Sequence, residues 1–81
     1  MTKFFINFLD SKGVVCADDE GQDLPGLQEA EAIATMSARE IFANDVKYAS
    51  RTPLAAVIIT SQDGVELARI APKDVLPERL K

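Results

Sequence analysis

The arrangement of apolar and turn-forming residues constrains this chain more than any single motif does. One long helical pattern, about residues 27–49, lies between two segments that each have the pattern of a β-hairpin. The first hairpin has strands at 3–9 and 14–17, and the second has strands at 55–61 and 65–71. The sequence therefore predicts an α+β fold of the order ββ-α-ββ, an antiparallel four-stranded sheet with one long helix on one face. Two separate two-stranded sheets are the alternative.

The first turn decides which side chains of the first hairpin share a face. Asp10 opens and Gly13 closes a short loop, as turn preferences favour. Tight closure there pairs Leu9 with Val14, and side chains alternate along each strand. One face is then formed by Phe4, Ile6, Phe8, Val15 and Ala17, and the other by Phe5, Asn7, Leu9, Val14 and Cys16. Both faces are mainly apolar, whereas a sheet with one wet face shows polar alternation.

The second hairpin closes at Asp63-Gly64, a strong hairpin signal. With a two-residue turn, one face holds Val57, Ile59, Ala68 and Ile70, and the other holds Ile58, Thr60, Leu67 and Arg69. A one-residue bulge would exchange these partners.

The helical pattern has an identifiable start, end and apolar stripe. Gly26 is the expected N-cap, Leu27 the first helical residue, and Glu29 can reach back to a free N–H. Pro53 ends the helix. The stripe consists of Leu27, Ala30, Ile33, Ala34, Ser37, Ile41 and Tyr48. We expect a single domain over 1–72 and a charged C-terminal tail over 73–81.

Size and charge exclude several classes of function. The 81-residue chain has no histidine and one cysteine, Cys16, so neither an intrachain disulfide nor a Cys/His zinc site can form. Residues 1–31 carry two lysines against seven acidic residues, a net charge of −5, while the remainder is +1. An acidic front half argues against nucleic-acid binding. No apolar run is long enough for a membrane span. These features predict a cytoplasmic protein that binds neither nucleic acid nor membrane.

The densest polar cluster is Asp18, Asp19, Glu20 and Asp23. Such carboxylates can bind a hard cation, but their spacing does not match a calcium-binding loop. We favour a solvated turn ahead of the helix start, where negative charge is stabilising. No cofactor is expected.

This chain lacks the residues that usually support nucleophilic catalysis. A nucleophilic Cys16 or Ser37 needs a base, and no histidine is present. We therefore expect no catalytic residue and a protein that works through protein–protein interaction. The alternative is a metal-dependent or small-molecule-binding enzyme that uses the acidic loop, residues 18–23.

A homodimer is the expected assembly, because one helix can cover only one face of the sheet. The other face would expose an apolar patch of a size that is uncommon on monomers. The predicted interface residues are Phe5, Leu9, Val14, Cys16, Ile58 and Leu67. Two rivals are open: the tail, residues 72–81, folds back over this face, or another, unidentified protein binds there.

The sequence resembles a known family. The resemblance rests on Phe5, Asp10, Gly13, Asp19-Glu20-Gly21, Asp23-Leu24-Pro25, Leu27, Ala30, Ala34, Ala38-Arg39-Glu40 and the Asp63-Gly64 turn. The family comprises short uncharacterised proteins, common in alphaproteobacteria and especially rhizobial relatives, that are grouped as a domain of unknown function. Its members often carry histidine where Asn7 and Leu9 stand and an aspartate cap where Gly26 stands. The resemblance implies no established activity.

Overall fold

The fold is an antiparallel sheet with one helix packed on it. The computed structural model describes residues 2–48 and 51–72. The elements are β1 (Thr2–Asp10), β2 (Val15–Cys16), β3 (Gln22–Leu24), α1 (Leu27–Lys47), β4 (Leu54–Thr60) and β5 (Glu66–Ile70). The strand order is β2-β1-β4-β5, and β3 also pairs with β1. The α+β class is confirmed, but the described residues form five strands instead of four. The predicted tail, 73–81, lies outside the described residues.

The extra strand is β3, in a segment that we expected to be a loop. It pairs with Thr2, Lys3 and Phe4. Strand β1 is nine residues long, and β2 pairs with only Phe8 and Leu9 on the same side. The N-terminal half of β1 would therefore leave backbone N–H and C=O groups unpaired, and β3 satisfies them.

The pairing of β1 with β4 joins the two hairpins into one sheet. It runs from Phe5 opposite Thr60 to Leu9 opposite Ala56, with an irregularity before Asp10. This pairing excludes the alternative of two separate sheets.

The two hairpins close with the same turn. The Asp10 N–H donates to the Val14 carbonyl at 3.0 Å and the Gly13 N–H donates to the Asp10 carbonyl at 3.1 Å. The equivalent bonds in the second hairpin, Ser61 to Val65 and Gly64 to Ser61, are both 2.9 Å. Both glycines have φ of 85°, the left-handed conformation of a bulged hairpin loop. The near-mirror layout of the sequence therefore extends to its turns.

This turn corrects the register of the first hairpin. Leu9 lies opposite Val15, and Phe8 opposite Cys16, one residue later than predicted. The glycine adds a residue to the loop, and a shift of one residue moves each side chain of β2 to the other face.

The core partners predicted for the second hairpin are confirmed, but Thr60 lies opposite Glu66 and not opposite Leu67. Val57 lies opposite Ile70, and Ile59 opposite Ala68. The turn has one residue more than the predicted two-residue turn, because Ser61 pairs with Val65. The register shift between Ile59 and Thr60 offsets this extra residue, so the core pairs keep their predicted faces.

Helix α1 begins at Leu27, as predicted, and packs chiefly on β4. Ala30, Ala34 and Ala38 are completely buried, so the helix backbone lies close to the sheet. Tyr48 does not belong to the buried stripe, because it is 70% exposed, and Phe42 supplies the buried aromatic ring instead. The core consists of Phe4, Ile6, Ala30, Ala34, Ala38, Phe42, Leu54, Val57, Ile59 and Ile70. No helix among the described residues is long and apolar enough to cross a membrane.

Candidate functional site

The sheet has an inner face under α1 and an outer face on the opposite side. Cross-strand register places the outer-face side chains in three rows, because directly opposed residues point to the same side. The apolar row is Val15, Leu9 and Ala56; the middle row is Asn7, Ile58 and Arg69; the third row is Phe5, Thr60 and Glu66. Apolar side chains therefore gather at one end of the outer face, and each of the other two rows holds one apolar and two polar residues.

Three of the predicted interface residues lie on the outer face as expected. Phe5, Leu9 and Ile58 are half-buried there. Leu67 is exposed and lies beside the register shift of β5. Val14 is 62% exposed but lies in the turn segment ahead of β2. These five residues remain candidates for contact with a partner.

Cys16 lies on the opposite side of the sheet from the predicted interface. It lies opposite Phe8, which packs against the core, so Cys16 is on the inner side of the sheet. Val15 takes the place opposite Leu9 that we assigned to Val14, because of the extra residue in the turn. The thiol is free and the residue is exposed.

A polar network joins Asn7 of β1 to the loop that follows β2. Asn7 is only 9% exposed. Its side-chain carbonyl accepts the Asp18 N–H at 2.9 Å, while its amide donates to the Ile58 carbonyl at 3.1 Å and to Thr60 Oγ1 at 3.2 Å. Asn7 thus ties three segments together on the outer face. In the described part of the chain, every buried side-chain N or O atom has a hydrogen-bond partner.

The Asp18 carboxylate completes this network at the gap between β2 and β3. Oδ2 accepts the Ile6 N–H at 3.3 Å, and Oδ1 accepts the N–H groups of Glu20 at 3.2 Å and Gly21 at 3.0 Å. The Gly21 hydrogen bond, followed by those from Ile6 and Glu20, lowers the pKa of Asp18 against an opposing effect of desolvation. At this point of β1, the carboxylate therefore accepts a backbone N–H that a neighbouring strand would otherwise bind.

The remaining acidic candidates do not converge on Asp18. Asp19, Glu20 and Asp23 are exposed, and Asp23 belongs to β3, opposite Lys3. Within residues 2–48 and 51–72, no group of three or more acidic or cysteine side chains is placed to hold a metal ion. The acidic segment contributes a folded turn and a strand.

Two small clefts border the Asp18 loop. The inner cleft, about 210 Å³, is lined by residues that include the apolar Ile6, Phe8 and Ile33 together with Cys16 and Ser37. The outer cleft, about 200 Å³, includes Phe5, Asn7 and Thr60. Both are smaller than the roughly 300 Å³ at which pockets for drug-sized ligands begin. The Cys16 thiol and the Ser37 hydroxyl share a cleft in a chain without histidine, the usual base for such a nucleophile.

The fold and its surfaces define a small α+β domain with a single helix on one face of an antiparallel sheet. The chain belongs to a family described as a domain of unknown function, DUF6894, which matches residues 3–71. This match confirms the resemblance to a family of unknown function, while the alphaproteobacterial affinity stays a prediction. No curated protein and no solved structure matches the chain.

Proposed function

We propose that this protein works without catalysis, by binding a partner protein through the outer face of its sheet. The observation that carries the proposal is the one-sided packing of the sheet. Among the described elements, α1 is the one that packs on a face, and it covers the inner one. On the outer face, exposure along the apolar row falls from Val15, which is 51% exposed, through the half-buried Leu9 to Ala56, which is 3% exposed.

The physical basis is the cost of leaving apolar surface in water. Each Å² of apolar surface removed from water contributes about 25 cal/mol. The outer face carries the exposed Val15 and the half-buried Phe5, Leu9 and Ile58 on three neighbouring strands, and these adjoining side chains leave apolar area in contact with water. Binding a protein through this face would remove that area from water.

The acidic loop gives less support to the alternative function, an enzyme that uses residues 18–23. Asp18 already accepts three backbone N–H groups, and its partners fix the loop to β1. Asp19 and Glu20 are exposed on the same loop. This geometry favours a structural role for the segment over a metal-dependent active site.

Site-specific photo-crosslinking in the native cell tests the proposal. A photoreactive amino acid at Val15 should give a discrete protein adduct, and Leu9→Lys, a change on the same row, should remove it. The control position is Met36, an exposed residue on α1. Adducts that form equally from both positions, or none from Val15, would overturn the proposal.

A further inference from the structure

We infer that the partner binds by strand addition: an extended segment of the partner, apolar in its centre and basic at its end, pairs with β2 and lengthens the sheet by one strand. The inference rests on the proposed function and adds the chemistry of the segment that is bound. Three features carry it: open backbone groups on β2, the contrast between the two edges of the sheet, and the charge that follows β2 in the chain.

Strand β2 has backbone groups that point away from the sheet. The Asp10 N–H donates to the Val14 carbonyl at 3.0 Å, which makes these residues a hydrogen-bonded pair. Bonded and non-bonded pairs alternate in an antiparallel ladder, so the next pair, Leu9 and Val15, is non-bonded. The N–H and C=O of Val15 therefore point away from β1, and the same alternation places those of Ala17 on that side. Among the described strands β2 is the last in the order, so this side is open to an extended peptide.

The two edges of the sheet differ in their protection against such pairing. Edge strands are commonly protected by charged side chains, by bulges and by proline. Strand β5, at the far edge, has all three: a register shift beside Glu66, the ion pair of Glu66 with Arg69 at 2.9 Å, and Pro72 soon after its end. The β2 edge, residues 14–17, consists of Val, Val, Cys and Ala, all exposed and without charge or proline. The β2 edge is therefore the better suited to accept a strand.

An added strand would find apolar surface on both sides of the sheet. Strand β2 is only two residues long, so the side chains of the added strand must contribute to binding. A residue opposite Val15 extends the apolar row on the outer face. The residue opposite Cys16 lies on the inner side, where Phe8, Cys16 and Ile33 line the inner cleft of about 210 Å³. A cavity of about 150 Å³ holds a benzene ring, so the cleft has the volume for one apolar side chain. The segment should thus carry two consecutive apolar residues.

The charge beside β2 determines what lies at the end of the segment. Asp18, Asp19 and Glu20 follow the β2 edge directly, and Asp19 and Glu20 are exposed. The Asp18 carboxylate accepts backbone N–H groups, which carry no net charge. In the described part of the chain the one ion pair, Glu66 with Arg69, lies elsewhere. A segment that runs along β2 therefore passes these three carboxylates, and lysine or arginine at that end complements their charge.

Binding of synthetic peptides to the full chain tests the inference. The probe has a core of threonine, two valines and threonine, flanked at both ends by arginine. The matched control peptide has glutamate in place of arginine. In NMR spectra of the isotope-labelled chain, the arginine peptide should shift the amide signals of Val15 and Ala17 and slow their hydrogen exchange. The glutamate peptide should bind at least about tenfold more weakly, because its charges repel those of the loop.

Two substitutions at one position separate main-chain pairing from side-chain burial. Val15→Pro removes the outward N–H, and proline is tolerated on an edge strand whose N–H faces solvent. Val15→Ala keeps that N–H while it also removes the valine side chain. The arginine peptide should bind Val15→Pro at least about tenfold more weakly than Val15→Ala, because a carbonyl of the peptide loses its donor. Circular dichroism establishes that both variants are folded.

A charge reversal tests the inference without any change in β2. Asp19→Lys combined with Glu20→Lys alters two exposed side chains and keeps the backbone N–H of Glu20 that Asp18 binds. This variant should bind the arginine peptide more weakly than wild type and the glutamate peptide more tightly. Unchanged affinities for both peptides would contradict the proposed role of the loop.

The outcomes separate this inference from the proposed function. Equal binding of the two peptides, equal affinities of Val15→Pro and Val15→Ala, or unshifted Val15 and Ala17 amides would overturn strand addition. If crosslinking from Val15 then still traps a protein, the proposed function stands and only the inference fails. If it traps nothing, both fail. Shifts of the same two amides when the chain alone is concentrated would identify a second copy as the added strand, and would also overturn the inference.

Discussion

The side-chain carbonyl of Asn7 accepts the backbone N–H of Asp18 at 2.9 Å, across eleven residues of chain. This bond fixes the loop after the first hairpin to the centre of the sheet, where Asn7 also bonds β4. The acidic loop is therefore part of the folded structure, and several consequences can be measured.

Asn7→Leu should destabilise the protein. Leucine is similar in size to asparagine, but it leaves the Asp18 N–H without its acceptor and removes a donor from the Ile58 carbonyl. Loss of partners for buried polar groups predicts a fall of about 2–3 kcal/mol in the free energy of unfolding, measured by urea denaturation at neutral pH. Asn44→Leu, on the exposed side of α1, should change it by less than about 0.5 kcal/mol. Equal effects would contradict a role for the network.

The stability of the protein should depend on pH through Asp18. Its folded-state pKa is lowered chiefly by the Gly21 N–H, so the ionised form stabilises the fold. This contribution is fully present above the ordinary pKa of 3.8 and is lost as pH falls through the lower folded-state pKa. The difference in unfolding free energy between wild type and Asp18→Asn should therefore shrink as the solution is acidified below that value. A difference that stays constant with pH would contradict this assignment.

Gly21→Ala should be more damaging than the same change at the hairpin glycines. Gly21 has φ of 73°, and a Cβ there would lie 2.8 Å from Lys3 Cγ and 3.0 Å from Phe5 Cε2. Gly13 has φ of 85° with nothing within 4 Å of the added atom. Gly13→Ala should thus cost only the backbone strain, about 1–2 kcal/mol, and Gly21→Ala at least about 1 kcal/mol more. Chemical denaturation of the two variants compares them, and equal costs would contradict the close approach.

The hairpins and the helix could be predicted because their signals are local. Gly26 and Glu29 mark the helix start within one turn, and Asp63-Gly64 marks the second hairpin in two adjacent residues. The core pairs Val57–Ile70 and Ile59–Ala68 were predicted from a two-residue turn, and they hold because the register shift beside Thr60 offsets the extra residue of the observed turn.

The features that sequence reasoning missed depend on contacts between residues far apart in the sequence or on a single extra residue in a turn. The bulge at Gly13 moved Val15 to the outer face and Cys16 to the inner one. The three-residue β3 has little strand propensity and forms because β1 offers it a free edge. The sequence contains one signal of the hydrogen bond between Asn7 and Asp18, which is that Asn7 is a polar residue in an otherwise apolar strand pattern.

Asp45→Ala should loosen the junction between α1 and β4. Asp45 Oδ2 accepts the Leu54 N–H at 2.8 Å, which connects the last turns of the helix to the first residue of the strand. The bond is charge-assisted and partly buried, so its loss should cost about 1–2 kcal/mol. Hydrogen exchange should speed up at the Leu54 amide in particular. Glu40→Ala, an exposed change on the same helix, should leave that amide unaffected, and faster exchange in both variants would point to general destabilisation instead.

Ala34→Leu should test how closely the helix lies on the sheet. Ala34 is completely buried in the core, whereas Ala32, two residues earlier on the same helix, is exposed. Alanine and leucine have similar helix propensities, so the two substitutions differ mainly in packing. The added volume at position 34 must displace the helix or its neighbours, at a cost of about 1–3 kcal/mol. For a domain of this size, each kcal/mol lowers Tm by about 4–8 °C, so a thermal melt separates Ala34→Leu from Ala32→Leu. Equal Tm values for the two variants would show that the helix does not lie against the sheet through its alanines.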